Sequence, residues 1–145
     1  MLDKLDKIKR SIKDYEPKIY GNTRNSSVLL PLIRRNGELH VLYEVRSKLV
    51  SQAGDSSFPG GRVEKGETYQ QAAVRETMEE LNLARDQIQV MGEIDYIVGS
   101  HMTIYCFVGE LVNVKFEEIE PNEEVEKFIP FHCNIYLKHH LHILR

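Results

Sequence analysis

Residues 58–83 read FPGGRVEKGETYQQAAVRETMEELNL, a glycine-rich loop that runs straight into a helical pattern, and the fold is decided there. Thr68 followed three residues later by Gln71 is a capping box, in which each side chain can satisfy the other's backbone N–H. The spacing therefore predicts a helix over 69–81. Ala73, Val74, Thr77 and Leu81 fall on one face, which would pack on a sheet. Glu76, Glu79 and Glu80 fall along another flank. Glu76 and Glu80 are like charges one turn apart, a cost unless something positive sits between them. A hard divalent cation fits that need, because it takes oxygen ligands from carboxylates and from phosphates. Glutamates on a helix are often no more than a solvated face. The loop in front shifts the balance: Gly60 and Gly61 follow Pro59, where the backbone can turn sharply or approach a ligand closely.

Outward from this stretch, residues 26–33 (SSVLLPLI) read as a strand, with Pro31 arguing for an edge or a bulge. Asn36-Gly37 is a turn signal, and residues 39–46 (LHVLYEVR) form the next strand. Near the start, Leu2, Leu5, Ile8, Ile12 and Tyr15 recur every three or four residues. That predicts an amphipathic helix over about 2–16, stopped by Pro17. The plain expectation is that its stripe lies on the body of the domain; a homodimer contact or a membrane-surface role are the alternatives. Downstream, residues 87–98 and 102–112 are strand-like, acidic residues 117–126 form a loop or short turn around Pro121, and the tail over 130–145 suits a final helix. No repeat or linker interrupts the chain, so one α/β domain over 1–145 is expected.

Composition narrows the class. The chain is 41% hydrophobic and 28% charged, as folded soluble proteins are. A formal net charge of -3 argues against non-specific binding to nucleic acid, and an anionic ligand would need local cations or bound metal. Cys106 and Cys133 read as free thiols of a reducing compartment. The charged start MLDKLDKIKR is neither signal peptide nor anchor, and no apolar run reaches bilayer length, so a cytoplasmic protein without a membrane partner is expected. His139, His140 and His142 cluster in KHHLHILR, but adjacent histidines on a helix point different ways, and a surface or packing role is the simpler reading.

Gly61, five residues, Glu67, seven residues, Arg75-Glu76, and then Glu79-Glu80 resembles the signature of the Nudix hydrolase family, with Leu83 as its aliphatic end. Thr77 and Asn82 depart from it, standing where an aliphatic residue and a glycine are usual; asparagine still tolerates the left-handed backbone of a helix cap. The resemblance implies a mixed β-sheet sandwiched between helices, and Mg²⁺- or Mn²⁺-dependent hydrolysis of a diphosphate linkage in a nucleotide-like small molecule. It gives Glu76, Glu79 and Glu80 as metal ligands, with Glu79 or Glu80 also able to orient or deprotonate water. Glu67 supports the cluster or joins it, and a backbone carbonyl at Gly60-Gly61 completes a coordination sphere. Arg75 pairs with a neighbouring carboxylate. A last base would come from a later loop, with Glu124 and Glu120 as candidates.

The preceding segment, VLYEVRSKLVSQAGDSSFPGG, is similar to the extra motif of the family's coenzyme A diphosphatase branch. Arg46-Ser47, Gly54 and Phe58-Pro59-Gly60-Gly61 carry that similarity, and NEEV at 122–125 loosely follows a later segment of the branch. The branch usually carries a second arginine between the strand end and the loop glycine, a stretch in which Lys48 is the only cation here. Arg46 is the candidate phosphate contact, since its planar fork suits bidentate binding. Phe58 is a candidate in the substrate-binding loop, though a core anchor is the commoner role for such a residue. If the branch assignment holds, the products are 3′,5′-adenosine bisphosphate and 4′-phosphopantetheine. ADP-ribose or another nucleoside diphosphate derivative is the rival substrate, and a nucleotide-binding regulator without turnover is the rival class.

Overall fold

The computed structural model describes residues 1–17, 24–50 and 53–134. Its centre is β1 (Arg24–Arg35), a long strand with different neighbours along its two edges. On one edge it runs parallel to β7 (Met102–Leu111), with Arg24 opposite Met102 and Leu32 opposite Glu110. On the other edge it pairs antiparallel with β4 (Gly60–Arg62) over Val28 to Ser26, and then with β2 (Glu38–Arg46) from Leu32 onward. The hairpin to β2 turns at Asn36 and Gly37, whose φ values of 52° and 78° are those of a two-residue primed turn.

β8 (Val125–His132) lies along the far edge of β2, the short β3 (Ser56–Ser57) pairs with the end of β2 on its other edge, and β5 (Ile88–Glu93) and β6 (Ile97–Val98) pair with β7. The result is a mixed β-sheet flanked by helices, as the sequence suggests. Helix α2 (Tyr69–Leu81) closes one face. Its Ala73, Val74 and Leu81 join Leu29, Ile33, Leu42 and Phe107 in the larger core cluster. Thr77 is wholly buried among them, and its hydroxyl donates to the Ala73 carbonyl at 2.7 Å, which satisfies it within the helix. Both cysteines are free, Cys133 buried and Cys106 half-buried.

Four expectations need correction. Pro31 lies inside the sheet, opposite Gly109, and not on an edge. Leu29 donates its N–H to Pro59, so the nitrogen two residues on points to that same edge, where β1 is passing from β4 to β2. The missing donor thus falls at a fork in the ladder. Strand character over 87–98 breaks at 94–96, leaving two strands. Residues 130–132, assigned to a final helix, complete β8 because Pro130 to His132 pair in register with Leu42 to His40; residues 135–145, with their three histidines, lie outside the described residues. Finally, α1 (Lys4–Lys13) buries none of its residues, so Leu5, Ile8 and Ile12 do not lie on the body of the domain.

Candidate active site

The site forms where α2 crosses the β1–β4 pairing. The two glycines let it do so. A Cβ at Gly60 would strike the Ser27 carbonyl and the Val28 side chain, so β4 can meet β1 there only without a side chain. A Cβ at Gly61 would instead run into the Glu76 carboxylate. The first glycine therefore admits the sheet, and the second leaves room for the Glu76 carboxylate. Gly60 contributes again through its amide, which donates to Glu80 Oε2 at 2.9 Å.

Helix α2 is held in register by bonds the sequence foretells. Thr68 Oγ1 accepts from the Gln71 amide at 3.1 Å, and Gln71 Oε1 accepts from the Thr68 amide at 2.8 Å. At the other end Asn82 takes the left-handed cap at φ 52° and ψ 47°. Its side-chain amide donates to the Glu120 carbonyl at 2.7 Å, and the Asn122 amide donates to the Glu80 carbonyl. The 120–122 loop, far along the chain, is thereby drawn onto the end of the helix.

Arg75 organises the carboxylates on the loop side. Its Nε and Nη2 donate to the two oxygens of Glu67 at 3.0 and 2.8 Å, a bidentate grip, while Nη1 donates to Glu76 at 2.9 Å. Nη2 also reaches the Arg62 carbonyl, and Glu79 lies 3.5 Å from Nη1. These partners, Glu67 first, hold the guanidinium above its ordinary value; in return the Arg75 bond lowers Glu67. Arg75 ties the helix to the loop rather than opening to solvent. Glu79 is the most exposed of the three helix carboxylates in the cluster, with its side chain 55% accessible.

Glu44 is the residue sequence reasoning missed. It is 1% exposed and accepts from Ser57 Oγ at 3.4 Å, and its carboxyl group meets that of Glu80 within hydrogen-bond reach. Burial pushes Glu44 up; burial and then the charge of Glu44 push Glu80 up, although the Gly60 amide works against this. Glu76 is raised too, by burial, with Arg75 opposing. A signal was present in LHVLYEVR: alternation puts Glu44 on the same strand face as Leu42, where an apolar side chain would be expected.

The candidates from other segments separate. Ser47, next to Arg46, donates its amide to the Glu124 carbonyl at 2.9 Å and its hydroxyl to the Glu123 carbonyl at 2.7 Å. This stitches the end of β2 to the 122–124 loop. Arg46 and Glu124 both act electrostatically on Glu44, and Glu124 also acts on Glu76, so both belong to the same neighbourhood. Glu120 enters only as the carbonyl that accepts from Asn82. Phe58 stacks on Tyr43 with ring centroids 4.8 Å apart, against the Leu30–Val41 cluster, which makes it a packing residue in this structure.

Among the described residues, no three acidic, histidine or cysteine side chains converge closely enough to hold a metal ion. The donor chemistry nevertheless suits a hard cation. All the groups are carboxylate oxygens, two of them buried side by side, and among the described residues no N–H or hydroxyl donor reaches Glu44 Oε2.

The NUDIX domain model matches residues 23–140. The chain belongs to the Nudix family. Nudix relatives include the peroxisomal coenzyme A diphosphatase of Mus musculus, 34% identical over 109 residues, which are 72% of this chain and 46% of the mouse protein. Another is a peroxisomal coenzyme A diphosphatase of Saccharomyces cerevisiae, 47% identical over 71 residues, covering 47% of this chain and 21% of the yeast protein. The chain thus spans less than half the length of either. A solved Ap4A hydrolase of Caenorhabditis elegans, in a binary complex, superposes with a TM-score of 0.66 at 19% identity, over 80% of this chain and 85% of that one. At that identity the likeness is one of fold. No helix among the described residues is long and apolar enough to cross a membrane.

Proposed function

We propose that this Nudix domain hydrolyses a diphosphate linkage with Mg²⁺ or Mn²⁺, and that its substrate is coenzyme A or a derivative. The observation that carries the reading is that one loop, 122–124, is bound both to the Arg46-Ser47 end of β2, through the Ser47 bonds, and to the helix that carries Glu76, Glu79 and Glu80, through the Asn122 amide and the Glu80 carbonyl. Arg46-Ser47 and the 122–125 segment are separate pieces of the coenzyme A branch similarity, and here they are physically tied. Relatives named as coenzyme A diphosphatases support the same substrate.

Glu76, Glu79 and Glu80 would hold the cation, with Glu67 and the Gly60 carbonyl as further donors. When bound, it neutralises the diphosphate and acidifies water. Arg46, at the end of β2, meets a phosphate oxygen with its fork. Arg75 stays bound to Glu67 and Glu76 and keeps the ligand-bearing turn in place. Water attacks one phosphorus and gives a proton to Glu79 or Glu124, both of which are exposed. The P–O bond to the bridging oxygen breaks, and that oxygen leaves on the second phosphate. From coenzyme A this yields 3′,5′-adenosine bisphosphate and 4′-phosphopantetheine.

The test is a matched panel of coenzyme A, ADP-ribose, NADH, diadenosine polyphosphates and nucleoside triphosphates, with Mg²⁺ or Mn²⁺ and products identified by mass. Preferential release of 3′,5′-adenosine bisphosphate is expected, abolished by chelator and reduced by on the order of a hundred- to a thousandfold in Glu79→Gln. AMP released preferentially from ADP-ribose would keep the hydrolase and retire the coenzyme A reading. Folded, metal-bound protein that turns over nothing in the panel would favour a nucleotide-binding role.

A further inference from the structure

We propose that Glu44 is a further oxygen donor to the divalent cation, entering from β2 while Glu76, Glu79 and Glu80 enter from α2. This rests on the metal-dependent reading above. Alternation along β2 turns Leu42 and Glu44 to the side facing α2. Leu42 belongs to the core under the helix, and Glu44, two residues on, is just as buried. An apolar side chain would occupy that place without losing hydration, as Leu42 does next to it. The carboxylate keeps one oxygen against Ser57 Oγ at 3.4 Å, while Oε2 accepts no hydrogen bond from any described group. An oxygen so buried, facing a second carboxyl group, fits a cation that takes carboxylate oxygens.

Its neighbour makes the same demand. Glu80 approaches from the helix with Oε2 already taken by the Gly60 amide at 2.9 Å, so two carboxyl groups face each other across the strand–helix boundary. Arg46 lends positive charge from the strand end but donates nothing to Glu44 Oε2. A cation that binds several carboxylate oxygens satisfies both groups at once. A donor on β2 also gives the site a rigid wall, since Glu44 pairs with Ser57 of β3 on one side and Phe128 of β8 on the other. The competing role for Glu44 is mere support, a hydrogen bond that orients Glu80. Glutamine separates the two, because it keeps the shape and can donate to Glu80 but carries no charge for a cation.

The experiment is calorimetric titration of Mn²⁺ into the full chain as wild type, Glu44→Gln and Glu44→Asp, with unfolding temperatures taken in chelator and in Mn²⁺. Glu44→Gln should fold in chelator at least as stably as wild type, yet bind Mn²⁺ about tenfold or more weakly and gain less stability from it. Glu44→Asp, which keeps the charge on a shorter arm, should fall between. Wild-type affinity in Glu44→Gln overturns the inference and leaves the hydrolase reading untouched. Should Glu44→Gln not fold, Glu44→Asp decides, and undiminished affinity there overturns it equally. Weakened binding in a protein that cleaves no diphosphate would uphold the donor and retire the enzyme, whereas a wild type that binds no Mn²⁺ overturns both.

Discussion

Helices α1 and α2 begin alike and end differently. Both carry an apolar stripe, and both are capped by a side chain, Asp3 accepting from the Asp6 amide and Thr68 from that of Gln71. Yet α2 buries Ala72, Ala73, Val74, Thr77, Glu80 and Leu81, and α1 buries nothing. The difference lies in bonds to distant segments. Residues of α2, with its C-cap, are tied to Glu67, Gly60, Glu120 and Asn122, whereas among the described residues the side-chain bonds of α1, Asp3 to Asp6 and Ser11 to Lys7, stay within its own turns. Periodicity announces a helix; it does not say what will cover it.

The widest separation between the helices should appear on truncating the stripe. Leu81→Ala removes a side chain with no exposure from the core cluster, and a loss of about 2–5 kcal/mol is expected in urea unfolding. Ile8→Ala, at a position 57% exposed, should change global stability by less than about 0.5 kcal/mol. A large loss from Ile8→Ala would mean that the α1 stripe is covered in solution, and the contrast drawn above would collapse.

The same contrast explains what could be read from the sequence. The boundaries of α2 and the hairpin turn at Asn36-Gly37 were legible because their determinants are local: a capping box, an asparagine able to take positive φ, a two-residue turn. The helix carboxylates were legible through their spacing against Gly61. Pro31 was misread because its tolerance depends on which strand lies beside it, and the exchange of β4 for β2 is fixed by residues far along the chain. Residues 130–132 went to a helix because register with β2 has no local signature. Glu44 needed two facts at once, the strand face and the helix that covers it. The Ser47 bonds to the 123–124 carbonyls are equally invisible, although both ends of that link lie in segments whose resemblance was noted.

Acidity offers a sharper probe of the buried end of α2. Burial pushes Glu44 up to about 7, and burial followed by the charge of Glu44 pushes Glu80 up to about 9. The metal-free folded state therefore keeps protons that the unfolded chain releases once pH passes the ordinary carboxylate range. Stability falls wherever the folded state binds more protons than the unfolded one, so the unfolding temperature in chelator should drop as pH rises from about 5 towards 9. Glu44→Gln should flatten that decline and raise the unfolding temperature near the top of the window by on the order of a few degrees. A metal-free protein whose stability is flat across the window would show that the two carboxyl groups do not share a dry site.

The smallest effect tests the feature the helices have in common. Thr68→Ala removes the hydroxyl that accepts from Gln71 and should cost about 1 kcal/mol of global stability. Asp3→Ala removes the matching acceptor in α1, but that helix carries no buried residue, so the loss should be confined to local helicity. Amide exchange distinguishes the two: faster exchange at the Gln71 amide should come with a lower global midpoint, and faster exchange at the Asp6 amide should come with none. A global loss from Asp3→Ala would couple α1 to the body of the domain, and the cap would then report a contact that the exposed stripe conceals.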